Sequence, residues 1–335
     1  MKNPACVAIL GATGAVGVEV LKTLEKRNFP VKELILLASG RSEGKTMEFR
    51  GKKIAVKAVT PSSFAGVDIA IFSAGATRSR EFAPHAVKAG AVVVDNSSAF
   101  RMDPGVPLVV PEVNGGDLAL HKGIIANPNC SAAIMCVPLW PLHRAARIRR
   151  IVVSTYQAAS GAGAKAMAEL EAQARDVLDR KPAKREVFPH QIAFNVFSHN
   201  TSVADNGLNE EENKMIEETR KMFHEPNLSI CPTCIRVPVF RAHAESLVIE
   251  TERKLGVDEA RAILSRAPGV KLVDDRAKNH FPMPIEATGH DEILVGRIRE
   301  DPSSPNGLAL FVAGDQLLKG AALNAVQIAE LLLKC

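Results

Sequence analysis

Short, continuously apolar runs alternate with stretches of helical spacing through the first third of the chain. "ACVAIL" is followed by a glycine-rich turn and then by apolar residues at Val16, Val20, Leu21 and Leu24, the spacing of one helix face. "VKELILLAS", "VDIAIFSAG", "AVVVDNSS", "PLVVPEV" and "GIIANPNC" come next, each short and apolar throughout. Strands buried on both faces read this way, so the pattern predicts an α/β fold with a mostly parallel, doubly wound, Rossmann-like sheet over roughly residues 1–128.

Beyond residue 129 the pattern changes. A helix is predicted over 130–145, then the strand "RIVVSTYQA", then a helix introduced by Gly161 and Gly163 and running to about Asp179. A long polar loop precedes a helix in "NGLNEEENKMIEETRKMF", with Asn209 as its cap. "CIRVPVFRAHAESLVIET" and "ILVGRIRED" read as strands of an antiparallel or mixed sheet, and the tail as a strand followed by an amphipathic helix. This second region is expected to be an α+β domain.

Composition narrows the classes of partner. The 335 residues suit two domains, and a net charge of +5 with basic residues scattered among 37 acids offers no electrostatic footprint for nucleic acid. Apolar runs fall short of the ~20 residues that span a bilayer. The opening "MKNPACVAIL" lacks the apolar segment of a signal peptide, so no membrane association is expected and the chain reads as cytoplasmic. The six cysteines form no disulfide framework, which fits a reducing compartment. The pair in "CPTC" has no second Cys-x-x-Cys or His pair to complete a zinc site, so no metal is expected. It lies in a strand pattern rather than at the helix start of a redox dithiol.

The first candidate chemistry is the turn "GATGAVG". Gly11 allows the tight turn, Gly14 lets backbone approach a pyrophosphate, and Gly17 permits close helix packing, with the helix N-terminus facing the phosphates. The turn and the helix start, Thr13, Ala15 and Val16 included, thus form a dinucleotide-binding candidate. At the end of the second strand, "LLASGRSEGK" carries no acid to bond a ribose 2′-hydroxyl. Ser39, Arg41 and Ser42 suit a 2′-phosphate instead, so the expected cofactor is NADP rather than NAD.

The second candidate is Cys130, which follows Asn-Pro-Asn and opens a helix in "ANPNCSAAIM". A helix N-terminus favours thiolate over thiol, making this cysteine a candidate nucleophile. A thiolate beside a nicotinamide implies aldehyde chemistry through a hemithioacetal and a thioester, with a general base. The candidate base is His243 in "RVPVFRAHAE", where strand alternation places Arg241, His243 and Glu245 on one face. Arg236 and His243 are seven apart, so a straight strand points them to opposite faces. Pro238 between them removes a ladder donor, as at a bulge, and the spacing alone leaves the aim of Arg236 open.

"GATGAVG", "DNSSAFR", "NPNC", "STYQAASGAG", "EENK", "RVPVFRAHAE" and "GAALNAVQIAELL", in this order, resemble the bacterial aspartate-β-semialdehyde dehydrogenase family over nearly the whole chain. The resemblance implies NADPH-dependent reductive dephosphorylation of β-aspartyl phosphate, in biosynthesis of lysine, methionine, threonine and diaminopimelate. It implies Cys130 as the acyl-thioester nucleophile, Gln157 as the residue that orients substrate, and His243 as the acid/base. Arg236 becomes the clamp on the substrate α-carboxylate and Glu211 the contact to its amino group, while Arg101 and Lys214 resemble the pair that binds phosphate. Ser73, Gly75, Ser160, Gly161, Gln316 and Asn324 resemble further cofactor contacts. The resemblance also implies a homodimer, a glyceraldehyde-3-phosphate dehydrogenase-like second domain over 129–313, and an NADP-binding domain built from 1–128 with the returning segment 314–335. N-acetyl-γ-glutamyl-phosphate reductase is the nearest alternative, but its cysteine normally follows Asn-Pro-Gly and precedes Tyr. A non-catalytic dinucleotide-binding paralogue would be expected to lose the nucleophile or its base, and both are present.

Overall fold

A computed structural model of the protein describes residues 2–334; Met1 and Cys335, the last of the six cysteines, lie outside the described residues. The chain divides into two compact units, one of Met1–Asn129 with Ala321–Cys335 and one of Cys130–Gly320. The first unit resumes at Ala321, after the last long strand.

The first unit is a seven-stranded sheet formed by β1 (Ala5–Leu10), β2 (Val31–Ala38), β3 (Thr46–Phe49), β4 (Lys52–Ala58), β5 (Ile69–Phe72), β6 (Val92–Asp95) and β7 (Ile124–Ala126), in the order β3-β4-β2-β1-β5-β6-β7. All neighbours are parallel except β3, which pairs antiparallel with β4. β1 explains the architecture. Ala5, Val7 and Ile9 belong to one buried cluster and Cys6, Ala8 and Leu10 to the other, so apolar residues are needed at every position. On the first face pack α1 (Ala15–Lys26), through Val20, Leu21 and Leu24, and the C-terminal helix, through Val326, Ile328 and Ala329. On the other, Phe82 and Ala83 of α2 (Ala76–Lys88) meet Phe64 and Phe72.

One expectation fails here, and one hairpin carries no expectation. "PLVVPEV" is not a strand: Leu108 makes a single bridge to Ala126, and Pro111 opens the short helix α3 (Pro111–Asn114), a position that suits a residue with no N–H. The hairpin β3–β4 goes unpredicted because its residues are polar and partly exposed, as an edge allows.

The second unit begins with α4 (Cys130–Ala146). Its sheet comprises β8 (Ile148–Gln157), β9 (Phe197–Ser198), β10 (Ser229–Arg236), β11 (His243–Thr251), β12 (Val270–Leu272), β13 (Ile293–Glu300) and β14 (Gly307–Gly314), in the order β12-β13-β14-β11-β8-β10-β9. Its helices are α5 (Ala164–Leu178), α6 (Glu210–Phe223), α7 (Val257–Leu264) and the single turn α8 (Pro284–Ala287). α6 starts where its Asn209 cap predicts: Asn209 accepts from the Glu212 N–H at 2.9 Å, and Glu212 completes a capping box by accepting from the Asn209 N–H at 2.9 Å.

The stretch expected as one strand around Pro238 is two. β10 ends at Arg236, the chain turns through 237–242 with Ala242 at φ 70°, and β11 starts at His243. No bulge is needed to re-aim Arg236, because the two residues lie on strands that flank β8 from opposite sides. Arg241 falls in the turn and donates from Nε to Asp315 at 2.8 Å, so it does not share a strand face with His243 and Glu245. Cys231 is exposed and Cys234 buried on β10, as strand alternation requires and a dithiol would not.

The C-terminal helix, α9 (Leu323–Leu332), is less amphipathic than expected. Its polar positions Gln327 and Glu330 are half-buried, and they bond Glu112 and Arg27. Among the described residues no helix is long and apolar enough to cross a membrane.

Candidate active site

The glycine turn ends β1 at the point where neighbouring strands depart in opposite directions, the switch point at which open α/β sheets bind ligands. Gly11 has φ +89°, and a Cβ there would lie 2.7 Å from the Ser73 carbonyl oxygen. A Cβ on Gly17 would lie 2.2 Å from the Gly11 oxygen, so only glycine lets α1 approach this closely. Gly14 is the N-cap of α1, whose first turn carries no acid to compete for an anion.

A cleft of about 340 Å³ opens beside it, lined among others by Gly11, Thr13, Gly14, Ser39, Arg41 and Ser73. Ser42 enters through a hydrogen bond from Thr13 at 3.2 Å. The half-buried side chain of Val16 packs against the core, and Ala15 is half-buried beside it at the start of α1. Gly75, at φ 85°, caps α2. Arg78, which no sequence signal singled out, also lines the cleft; it sits in the first turn of α2 and pairs with Glu81. These groups fit a dinucleotide: backbone at the turn for pyrophosphate, and two guanidiniums lining the cleft, Arg41 after β2 and Arg78 in α2, for further phosphate.

Two other predicted residues meet in a buried network at the carboxyl ends of β6 and β7. Arg101 donates to the carbonyls of Asn127 and Asn96, each at 2.9 Å. Asn324 donates to the Val109 carbonyl at 2.9 Å and to the Asn127 side chain. Asn324 is wholly buried, so its amide braces this edge.

In the second unit Cys130 is the first residue of α4, with no acidic residue in the first turn. A Cβ on Gly320 would lie 2.7 Å from its Cβ, so a bare glycine backs the cysteine. The strand order brings the other candidates together. Gln157 ends β8 and is paired in register with Arg236 on β10, while β11 begins beside the same strand end. Ala158, one residue on, donates its N–H to Nδ1 of His243 at 3.1 Å and accepts Nη1 of Arg236 at 2.7 Å. With Nδ1 accepting, neutral His243 carries its proton on Nε2, which has no protein partner among the described residues. Burial, then Arg236 and His199, push the pKa of His243 well below the ordinary range, so the ring is neutral.

Arg236 is buried over the Phe188 ring, and its guanidinium interacts electrostatically with Cys130 and Glu211. Gly161 stands against both groups, and a Cβ there would lie 3.1 Å from His243 Cε1 and 3.2 Å from Arg236 Nη1. Glu211 and Lys214 share one face of α6, 3.7 Å apart, with Glu210 closer to the lysine at 2.6 Å. Gln316 donates to Ser160 and accepts from the Ala242 N–H at 2.9 Å, so these two predicted cofactor contacts bond each other. Sequence reading missed His199, beside Arg236, and Gly320; one lies in a polar loop and the other inside a helical pattern.

A nucleotide-cradling turn in one unit and a cysteine, histidine and arginine set in the other define a dinucleotide-dependent dehydrogenase of the semialdehyde class. Family models agree: residues 6–121 match the semialdehyde dehydrogenase NAD-binding domain and 139–319 the semialdehyde dehydrogenase dimerisation domain. The chain is 56% identical to the aspartate-semialdehyde dehydrogenase of Synechocystis over 100% of its length and 99% of that protein's. It is 54% identical to the Aquifex aeolicus enzyme of the same name, over 98% of each. It superposes on the crystal structure of aspartate semialdehyde dehydrogenase II from Vibrio cholerae complexed with ASA with a TM-score of 0.96, at 46% identity over 100% of this chain and 99% of that one. The chain belongs to the aspartate-semialdehyde dehydrogenase family.

Proposed function

We propose that the protein catalyses the reversible, NADPH-dependent reductive dephosphorylation of β-aspartyl phosphate to aspartate β-semialdehyde through a thioester on Cys130. One observation carries the mechanism: Ala158 ties together a neutral histidine whose Nε2–H is available and an arginine in electrostatic contact with Cys130.

The glycine turn and its cleft would hold the dinucleotide, with Arg41 and Arg78 at a 2′-phosphate, which favours NADP. Bound there, the nicotinamide supplies hydride in the reductive direction and accepts it in the other. In the oxidative direction the Cys130 thiolate forms a C–S bond to the aldehyde carbon, and the carbonyl π electrons move to oxygen as an alkoxide. Nε2–H of His243 donates to that oxygen, which supports the donor half of the expected acid/base role. The oxygen's electrons re-form the carbonyl as the aldehyde C–H bond breaks and its hydrogen leaves as hydride, giving the acyl–Cys130 thioester; a phosphate oxygen then attacks that carbon, and the C–S bond breaks to return the thiolate.

Arg236 is the clamp for the α-carboxylate and Glu211 the partner of the ammonium, with Gln157 orienting the chain between them. Arg101 and Lys214 hold phosphate. The outer face of the second sheet carries half-exposed Tyr156 and Phe311, rings 6.2 Å apart, which supports a homodimer. The few cysteines and their lack of a disulfide framework in the sequence support function in a reducing cytoplasm.

The test is turnover of NADPH with β-aspartyl phosphate and with N-acetyl-γ-glutamyl phosphate. The first should be the substrate by several orders of magnitude; preference for the second, or for neither, would refute the proposal.

A further inference from the structure

The corner that holds Arg236 contains a histidine no motif pointed to. His199 follows β9, and its backbone N–H donates to the Cys234 carbonyl at 2.9 Å, pinning the loop beside β10. Its Nε2 lies 2.8 Å from Nη2 of Arg236. A guanidinium only donates, so Nε2 accepts and the ring proton sits on Nδ1, 3.2 Å from Oγ1 of Thr201. The same hydroxyl oxygen accepts the backbone N–H of Glu211, the second residue of α6, at 3.4 Å. A continuous chain of hydrogen bonds therefore joins the arginine of one element to the carboxylate-bearing residue of another.

We infer that His199 is a positioning residue: with Thr201 it sets the separation of Arg236 from Glu211, and so selects substrates that carry a carboxylate and an ammonium on one carbon. The inference rests on the roles proposed above for Arg236 and Glu211. Unbraced, a long arginine side chain samples many rotamers and a carboxylate finds it in few of them. Here Nη1 is fixed by the Ala158 carbonyl and Nη2 by His199 and, at 3.2 Å, by Oδ1 of Asn200, so the guanidinium plane is set before substrate arrives. The ring must stay neutral to accept. The charged groups facing it are Glu211, Arg236, Lys214 and Glu210, and burial, assisted by the two cations, lowers its pKa to about 4. At neutral pH the acceptor is therefore present.

The experiment compares wild type, His199→Ala, His199→Gln and Thr201→Val on aspartate β-semialdehyde and on 4-oxobutanoate, the same aldehyde without the amino group, using NADP and phosphate. His199→Ala should raise the Michaelis constant for aspartate β-semialdehyde about tenfold, with a smaller fall in kcat, and cut the preference for it over 4-oxobutanoate about fivefold. His199→Gln, whose amide oxygen can accept from Nη2, should recover most of the loss. Thr201→Val should act like His199→Ala and more mildly, and carries the test if the alanine variant does not fold. Melting temperature and NADP binding monitor folding. An unchanged Michaelis constant, or equal losses on both substrates that glutamine does not rescue, would overturn the inference alone. A wild type inactive on aspartate β-semialdehyde would overturn the functional reading and this inference with it.

Discussion

Arg236 and His243 are fastened to opposite sides of one residue: the Ala158 carbonyl takes the guanidinium at 2.7 Å, and its N–H reaches the imidazole Nδ1 at 3.1 Å. The clamp and the proton donor thus share one backbone anchor. They also share a wall, because Gly161 presents bare backbone to both. Gly161→Ala would place a methyl carbon 3.1–3.2 Å from Cε1 and Nε2 of His243 and Nη1 of Arg236. Turnover should fall about tenfold or more, since sub-ångström displacements of reacting groups are costly, while melting temperature changes little. Steady-state kinetics beside thermal denaturation would check both.

The two cysteines of α4 should behave oppositely. Cys130 opens the helix, whereas Cys136 is wholly buried against Thr219 and its thiol is pushed far up by burial. Cys130→Ser should lose nearly all turnover while keeping dinucleotide affinity, since a serine hydroxyl is not ionised at neutral pH. Cys136→Ala should keep the chemistry and lower only stability. Equal losses of turnover at the two positions would contradict the assignment of the nucleophile.

Cofactor choice should depend on two cations. Arg41→Ala and Arg78→Ala should each weaken NADPH about tenfold or more and leave NADH nearly unchanged, as loss of a charge-assisted bond to phosphate predicts. Binding titrations with both dinucleotides decide this. A parallel loss for NADH would move that arginine away from the 2′-phosphate.

Glu245 makes a pH prediction. It lies wholly buried on β11, neither carboxyl oxygen has a partner among the described residues, and burial raises its pKa well above the ordinary value. The folded state therefore keeps a proton that the unfolded chain releases above its ordinary value of about 4.3. Where the native state holds more protons, stability falls as pH rises, so Glu245 costs stability progressively above that value. Glu245→Gln should flatten the decline in melting temperature between about pH 5 and 8 and raise it at the upper end. Denaturation across that range checks the sign, and a steeper decline in the variant would refute it.

What the sequence determined by itself was local. Uninterrupted apolar runs announce strands buried on two faces, and a glycine turn between a strand and a helix announces a cradle for phosphates. Asn-Pro-Asn before small residues announces a cysteine at a helix start, and Asn209 announces the start of α6. Each depends on neighbours within a few residues, through backbone sterics, capping and periodicity. The arrangement around Ala158 was decided only in three dimensions. Seven residues of spacing put Arg236 and His243 on opposite faces of an imagined strand, yet the chain breaks at 237–242 and β8 comes to lie between β10 and β11. His199, Arg78 and Gly320 carry no local signal, because what marks them is a partner 37 residues away, a cleft between loops, or a cysteine backbone pressed against a missing side chain. Strand order and the contacts it creates come from burying many apolar side chains together, a long-range sum that no short window of sequence contains.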